Sequence, residues 1–238
     1  MRSIHLDGRL SAAAQLVRPG GVLADVGTDH GYLPAYLVQS GRILRAVASD
    51  VKEGPLQSAR ETVERCGLQE RVELILSDGL ANVPVEQVTD ICIAGMGGEL
   101  ICRIIGDCPA LQDPAKRLIL QPMTNAGTVR RYLYENGFQI LEERAVIDGP
   151  YTYCVLLACF TGTPQKIDDL VEWVGKMPMN LDGDSREYIL RQQQRADQIA
   201  QGLRRSKDKG EKAAYYEDLA RRIGECLPGQ NGGKVEPI

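Results

Sequence analysis

Strand and helix signals alternate along this chain from residue 22 to residue 137, and then two strand signals stand back to back. Val22–Val26, Arg45–Asp50, Val72–Leu76, Ile91–Ala94 and Leu118–Gln121 are short, largely apolar runs, each predicted as a strand. Helical segments fall around them: Tyr32–Gln39, a segment begun by Pro55 and closed by Gly67 after Cys66, one following Gly98, and Thr128–Asn136 stopped by Gly137. A short amphipathic helix with Leu6, Leu10, Ala13 and Val17 on one face opens the chain and ends at Pro19-Gly20. Such alternation dictates a parallel sheet with helices on both faces. Phe138–Ile147 and Tyr151–Thr161 are separated only by Asp148-Gly149-Pro150. They must pair antiparallel, because so short a link cannot carry a parallel crossover.

The stretch Val22-Leu23-Ala24-Asp25-Val26-Gly27-Thr28-Asp29-His30-Gly31-Tyr32-Leu33-Pro34 narrows the ligand. It is a strand, a turn with Gly27 and Gly31, and a helix start. A dinucleotide site would want G-x-G-x-x-G, with its glycines against a pyrophosphate. Here Asp29 replaces the second glycine, and a carboxylate there repels a pyrophosphate while tolerating a sulfonium. S-adenosyl-L-methionine has a cationic and an anionic end and suits the turn. Five parallel strands followed by a closing antiparallel hairpin is also how class I methyltransferases that use this cofactor end, whereas a dinucleotide-binding domain ends in another parallel strand. The expected fold is therefore α/β, a Rossmann-like class I methyltransferase sheet. An NAD-dependent oxidoreductase is the weaker alternative.

Strand-end acids extend this reading. Asp50, followed by Val51, ends the second strand and can accept from both ribose hydroxyls of an adenosine. Asp78, followed by Gly79, comes just after the third and can accept from the adenine amino group. Asp25 would lie near the methionine ammonium, with Gly27 beside it. Any one of these acids could instead cap a helix; three at successive strand ends point to a ligand. Ile93-Ala94-Gly95-Met96-Gly97-Gly98 follows the fourth strand and would border the transferring methyl group, its glycines letting the backbone approach a substrate. Gln121-Pro122-Met123 would line the same cleft.

After Gly162-Thr163-Pro164 no strand signal remains. Ile189, Ala196, Ala200 and Leu203, then Ala213, Tyr216, Ala220, Ile223 and Leu227, repeat at helical spacing on either side of Ser206–Gly210. They predict a coiled-coil-like helical hairpin. The expected division is a catalytic domain over 1–162, a helical domain over 163–228 and a flexible tail over 229–238. The net charge is −4, but residues 186–222 carry ten Lys or Arg against six Asp or Glu, so the remainder holds −8. That asymmetry suggests a polyanion-binding arm, with Arg204, Arg205, Lys207, Lys209 and Lys212 at its tip, unless the charges merely solvate a helix surface. The seven cysteines contain no C-x-x-C pair and the two histidines exclude a His-based metal cluster, so reduced thiols, a cytoplasmic setting and no metal are expected. No run has the length of a membrane span or the core of a signal peptide. Oligomeric state is left open, with a monomer preferred.

Together these segments resemble one family, the TrmK-type tRNA (adenine-22-N1)-methyltransferases. The resemblance runs from about Leu6 to Ala158 and is carried by Ala24-Asp25-Val26-Gly27-Thr28-Asp29-His30-Gly31-Tyr32-Leu33-Pro34, Gly54-Pro55, Asp78-Gly79-Leu80, Ile93-Ala94-Gly95-Met96-Gly97-Gly98 and Leu118-Ile119-Leu120-Gln121-Pro122. It implies S-adenosyl-L-methionine as cofactor and S-adenosyl-L-homocysteine as product. It implies methylation of N1 of an adenine in tRNA and a helical arm that positions the RNA. Asp29 becomes the candidate catalytic acid, with a helix N-cap as its structural alternative. Arg9, Met96, Gly97, Gln121 and Pro122 become substrate-side candidates, with Arg204, Arg205, Lys207 and Lys209 gripping phosphates. The chain departs from the family's usual pattern at Asp50, where Glu is common, at Met123, where Asn is common, and in the Leu6–Leu10 opening, which keeps Arg9 but lacks a Ser. Methylation of another RNA or a small molecule, and RNA binding without catalysis, are the competing functions.

Overall fold

The computed structural model describes residues 4–205 and 209–228; Lys207 and the segment expected as a tail, 229–238, lie outside the described residues. A helix α1 (Gly8–Leu16) leads into β1 (Val22–Val26), α2 (Tyr32–Gln39), β2 (Arg45–Asp50), α3 (Glu53–Cys66) and β3 (Val72–Leu76). The chain then returns through β4 (Asp90–Gly97), α4 (Gly98–Gly106), β5 (Arg117–Thr124) and α5 (Ala126–Glu135), and closes with β6 (Phe138–Asp148) and β7 (Tyr151–Phe160). The seven strands lie in the order β3-β2-β1-β4-β5-β7-β6. β1 to β5 pair in parallel, and β7 inserts antiparallel between β5 and β6. The order reverses between β1 and β4, which opens a crevice at the carboxyl ends of those strands.

The Rossmann-like sheet expected from the alternation is present, and β1, β2 and β3 begin and end where the sequence placed them. β4 and β5 run longer than expected. Gly95 is expected in a loop after the fourth strand, yet here it sits at φ 78° in a bulge, after which Met96 pairs with Pro122 and Gly97 with Thr124. The pair of strands thus projects past the sheet edge beside the crevice.

Beyond β7 lie α6 (Asp169–Val174), α7 (Gly183–Arg204) and α8 (Gly210–Glu225). The side chains of Asp168 and Asp182 cap α6 and α7 by accepting from Val171 N and Ser185 N. The short α6 escaped the sequence reading, being too brief to show a period. The α7–α8 pair packs together, and Ala196 and Ala200 of α7 and Ala213 and Ala220 of α8 are buried, small residues that let helices approach closely. Tyr188, Ile189, Leu219 and Ile223 join the same apolar cluster as Ile101, Val129 and Leu133 on the sheet-covering helices. The helical arm therefore shares a core with the sheet domain.

One polar knot lies inside that shared layer. Arg130 of α5 is fully buried, and its Nε donates to Glu143 Oε1 of β6 at 2.8 Å. Its Nη1 donates to the carbonyls of Glu172 and Trp173, and its Nη2 to the Tyr188 hydroxyl at 3.1 Å. Glu143 Oε2 accepts from Lys176 N at 2.6 Å. Gly175 lies against Glu143 and Arg130 so closely that any side chain there would collide with both.

Candidate active site

The crevice is lined by strand ends, so each functional side chain is placed by the sheet. Asp25 lies beside Ala48 of β2 and Cys92 of β4 in the sheet register, one residue before the end of β1. It is buried, and burial raises its pKa to about 6 against the opposing pull of Thr28 Oγ1, which donates to Oδ2 at 2.6 Å. No cation meets it among the described residues. Burial and the nearby Asp25 charge together push the Cys92 thiol well up, so Cys92 stays protonated.

The next turn is held by its own backbone. Gly27 N and Thr28 N both donate to Ser49 O, hooking the turn over the end of β2. Gly27 has φ 78°, which favours glycine, and the flexible end of the Met96 side chain fills the space where a side chain would stand. Beneath this turn Ser49 Oγ is buried without a hydrogen-bond partner among the described residues. Such an orphan at a ligand-binding edge fits a site that is completed by a polar ligand.

Asp29 takes the unusual φ of 31° and leaves 72% of its side chain exposed, its only ionic neighbour among the described residues being His30 Nε2 at 3.5 Å. The N-cap of α2 is Gly31, with no side-chain cap hydrogen bond. The capping role that Asp29 could have had is thus absent, and its exposed carboxylate meets the His30 ring, which stacks on Tyr32 with centroids 5.2 Å apart.

Asp50 Oδ1 accepts from Lys52 N at 2.9 Å, which steers its other oxygen, while Val51 is 59% exposed beside it. Asp78 is held by Arg103 Nη2 at 3.0 Å, and Gly79 backs onto Ile104. Sequence did not single out Thr28, Ser49 or Arg103; only proximity in space identifies them. Gly95 N donates to Gln121 Oε1 at 3.0 Å, and Arg9 Nη1 donates to the same oxygen at 3.2 Å. Met123 Sδ also accepts from Arg9 Nη1 at 3.2 Å, and the guanidinium lies over the Tyr153 ring. Arg9, Gln121, Gly95 and Met123 thus form one cluster, with Met96, Gly97 and Pro122 on the adjoining strand ends. The sulfur acts as acceptor where the family usually carries Asn.

The residues expected at the arm tip are apart from this edge. Arg204 ends α7, whose 22 residues span roughly 33 Å at 1.5 Å each. It is forked onto Glu217 of α8 at 2.8 and 2.7 Å. Arg205 and Lys209 are exposed. Among the described residues no cluster of three His, Cys, Asp or Glu could hold a metal, and no helix is long and apolar enough to cross a membrane.

A family model described as a methyltransferase domain matches residues 6–156. The tRNA (adenine(22)-N(1))-methyltransferase of Bacillus subtilis is 35% identical over 158 residues, 66% of each chain; this chain spans about two thirds of the length of such curated relatives. A solved Streptococcus pneumoniae structure, a candidate tRNA (m1A22) methyltransferase in complex with S-adenosyl-L-methionine, is 33% identical with a TM-score of 0.81, covering 94% of this chain and all of that one. The crystal structure of the Bacillus subtilis m1A22 tRNA methyltransferase TrmK is 27% identical with a TM-score of 0.82, covering 92% of this chain and 99% of that one.

Proposed function

The chain belongs to the methyltransferase-domain family, among its TrmK-type tRNA (adenine-22-N1)-methyltransferases, and from that premise we propose that it methylates N1 of adenine 22 in tRNA, using S-adenosyl-L-methionine. The observation that carries the reading is the crevice itself. Three acids lie at or just beyond the carboxyl ends of three adjoining strands, and a fourth, Asp29, is exposed in the turn that follows the first of them.

The donor set fits the cofactor. Asp25 is a buried carboxylate that meets no cation among the described residues and would face the methionine ammonium. Asp50 would accept from the ribose hydroxyls, beside the exposed Val51, and Asp78 from the adenine amino group. Gly27 and Gly95 keep side chains out of the space between. When bound, S-adenosyl-L-methionine supplies an electrophilic methyl carbon, and displacement there leaves S-adenosyl-L-homocysteine.

The protein's work at the substrate is placement and charge. N1 lies on the Watson–Crick edge, so a paired adenine must leave its stack before it can react. Once N1 forms its bond to the methyl carbon, the base carries a positive charge unless N6 loses a proton. Asp29 is the carboxylate that would offset that charge or accept that proton. The Arg9–Gln121–Gly95 cluster would fix the rim against which the base docks.

The test is methyl transfer from labelled cofactor to unmodified tRNA transcripts, with the product mapped by nuclease digestion and mass spectrometry. The expected product is N1-methyladenosine at position 22. Asp29→Ala should lower the transfer rate by about 10²–10⁴-fold while keeping S-adenosyl-L-homocysteine affinity. An equal loss of affinity and rate would assign Asp29 to the cofactor instead.

A further inference from the structure

A second cleft lies between the β5–α5 turn and the helical arm. It encloses about 230 Å³, walled by Thr124, Asn125 and Thr128 on one side and by Thr152, Gln192 and Arg195 on the other. Its rim begins at Pro122 and Met123. Thr124 pairs with Gly97 in the sheet, so the cleft is continuous with the loop expected to border methyl transfer.

The charges around it are unequal. Arg130 at its base is matched by Glu143. Glu172 is matched by Arg131, which also meets Glu135 and Asp169. Arg195 joins no ion pair among the described residues; its guanidinium lies over the Trp173 ring, 5.5 Å from the centroid. That ring also packs against Tyr216 in a T-shaped pair. Trp173 therefore holds the guanidinium in place, and the covered face is not free to stack on a base. Asn125 already donates to Glu99 and Thr152 accepts from Arg191, whereas the side chains of Thr124, Thr128 and Gln192 make no hydrogen bond among the described residues. One unmatched guanidinium with idle hydroxyl and amide groups around it is chemistry for a sugar-phosphate, to which Arg and Thr or Gln side chains donate.

We propose that this cleft takes the ribose-phosphate of a nucleotide neighbouring the target adenine, with Arg195 on the phosphate and Thr124, Thr128 and Gln192 on the sugar and remaining oxygens. The cleft would then index the RNA strand so that the adenine reaches Gly95–Gly97. This inference rests on the tRNA-methylation reading and adds a contact surface to it, nearer the sheet edge than the arm tip.

Trp173 is the only tryptophan in the chain, so its fluorescence reports on the cleft directly. Unmodified tRNA titrated onto the full chain with S-adenosyl-L-homocysteine should change that emission. Arg195→Ala should raise the tRNA KM about tenfold and reduce the slope of log affinity against log salt by about one, as loss of one phosphate contact does. Thr128→Val should raise KM about threefold, and neither variant should alter S-adenosyl-L-homocysteine affinity. A wild-type KM and salt slope in Arg195→Ala, with or without a lower melting temperature, would overturn the proposal and leave Arg195 as a cap on Trp173. A wild-type protein that transfers no methyl to any tRNA would instead overturn the tRNA reading, and this inference with it.

Discussion

Two buried charge sites in this molecule are built on opposite terms. At the crevice, Asp25 is a carboxylate with a hydroxyl for company and no cation among the described residues. At the junction of sheet and arm, Arg130 and Glu143 are buried together and bonded by carbonyls, a phenol and a main-chain N–H on every side. Burial opposes the Arg130 charge, but Glu143 acting together with Tyr188 and Cys154 outweighs it, so that guanidinium is held firmly charged. An incomplete site keeps interaction energy in reserve for a ligand. A complete one spends it on fixing two layers in one arrangement, and neither pattern can do the other's task.

The contrast breaks most sharply at the junction. Arg130→Met leaves Glu143 buried without a cation, and removing one partner of such a pair typically costs about 3–5 kcal/mol. For a chain of this length that corresponds to a fall in melting temperature of roughly 10 °C. Arg130→Met/Glu143→Leu should recover part of the loss, because no unpaired charge then remains. S-adenosyl-L-homocysteine affinity should be unchanged in both variants near their stable range. A single variant that melts within a degree of wild type would mean that the junction is held by apolar packing alone.

The two regions also differed in how far sequence disclosed them. The crevice acids sit at the ends of apolar runs, and Thr28 lies three residues from Asp25, so strand ends alone bring them to one edge. The junction is assembled over long spans: Arg130 bonds carbonyls 42 and 43 residues on and a hydroxyl 58 residues on. In sequence Arg130 is one more cation in a helix, and Glu143 one acid in a strand. The same reason hid the Arg204–Glu217 pair, since charge counts do not say which charges meet. The fourth strand is expected to stop at Ala94, before Gly95, because glycine marks turns and bulges alike, and only the partner strand distinguishes them.

Asp25 sharpens the comparison through pH. Its folded pKa of about 6 exceeds the ordinary value of 3.8, so between these limits the folded state binds more protons than the unfolded state. Stability of the ligand-free protein should therefore fall as pH rises from 4 to 6 and level off above, a penalty of about 3 kcal/mol at neutral pH. Asp25→Asn removes the charge while keeping an acceptor for Thr28. It should raise the ligand-free melting temperature at pH 7.5 and weaken S-adenosyl-L-homocysteine binding about tenfold or more. In the wild type that affinity should drop as pH falls below 6, where the carboxylate takes up its proton. If Asp25→Asn lowered stability and left affinity intact, Asp25 would belong with Arg130 as a structural group, and the opposition between the two regions would collapse.

The smallest effect is expected at the arm tip, which belongs to neither class. Arg204 and Glu217 form a fork in open solvent, where the pair contributes little to folding and competes with any phosphate for the guanidinium. Arg204→Ala should accordingly change tRNA affinity by less than roughly twofold, since it releases a carboxylate as it removes a cation. Glu217→Gln should do the reverse of an ordinary surface change: by freeing Arg204 it should tighten tRNA binding roughly twofold and steepen the salt dependence. Arg205→Ala and Lys209→Ala, which free no acid, should weaken binding by more than Arg204→Ala does. Equal losses at all three positions would mean that Arg204 turns from Glu217 to the RNA on binding. No change at any of them, with Glu217→Gln also silent, would confine RNA recognition to the crevice and the cleft beside it.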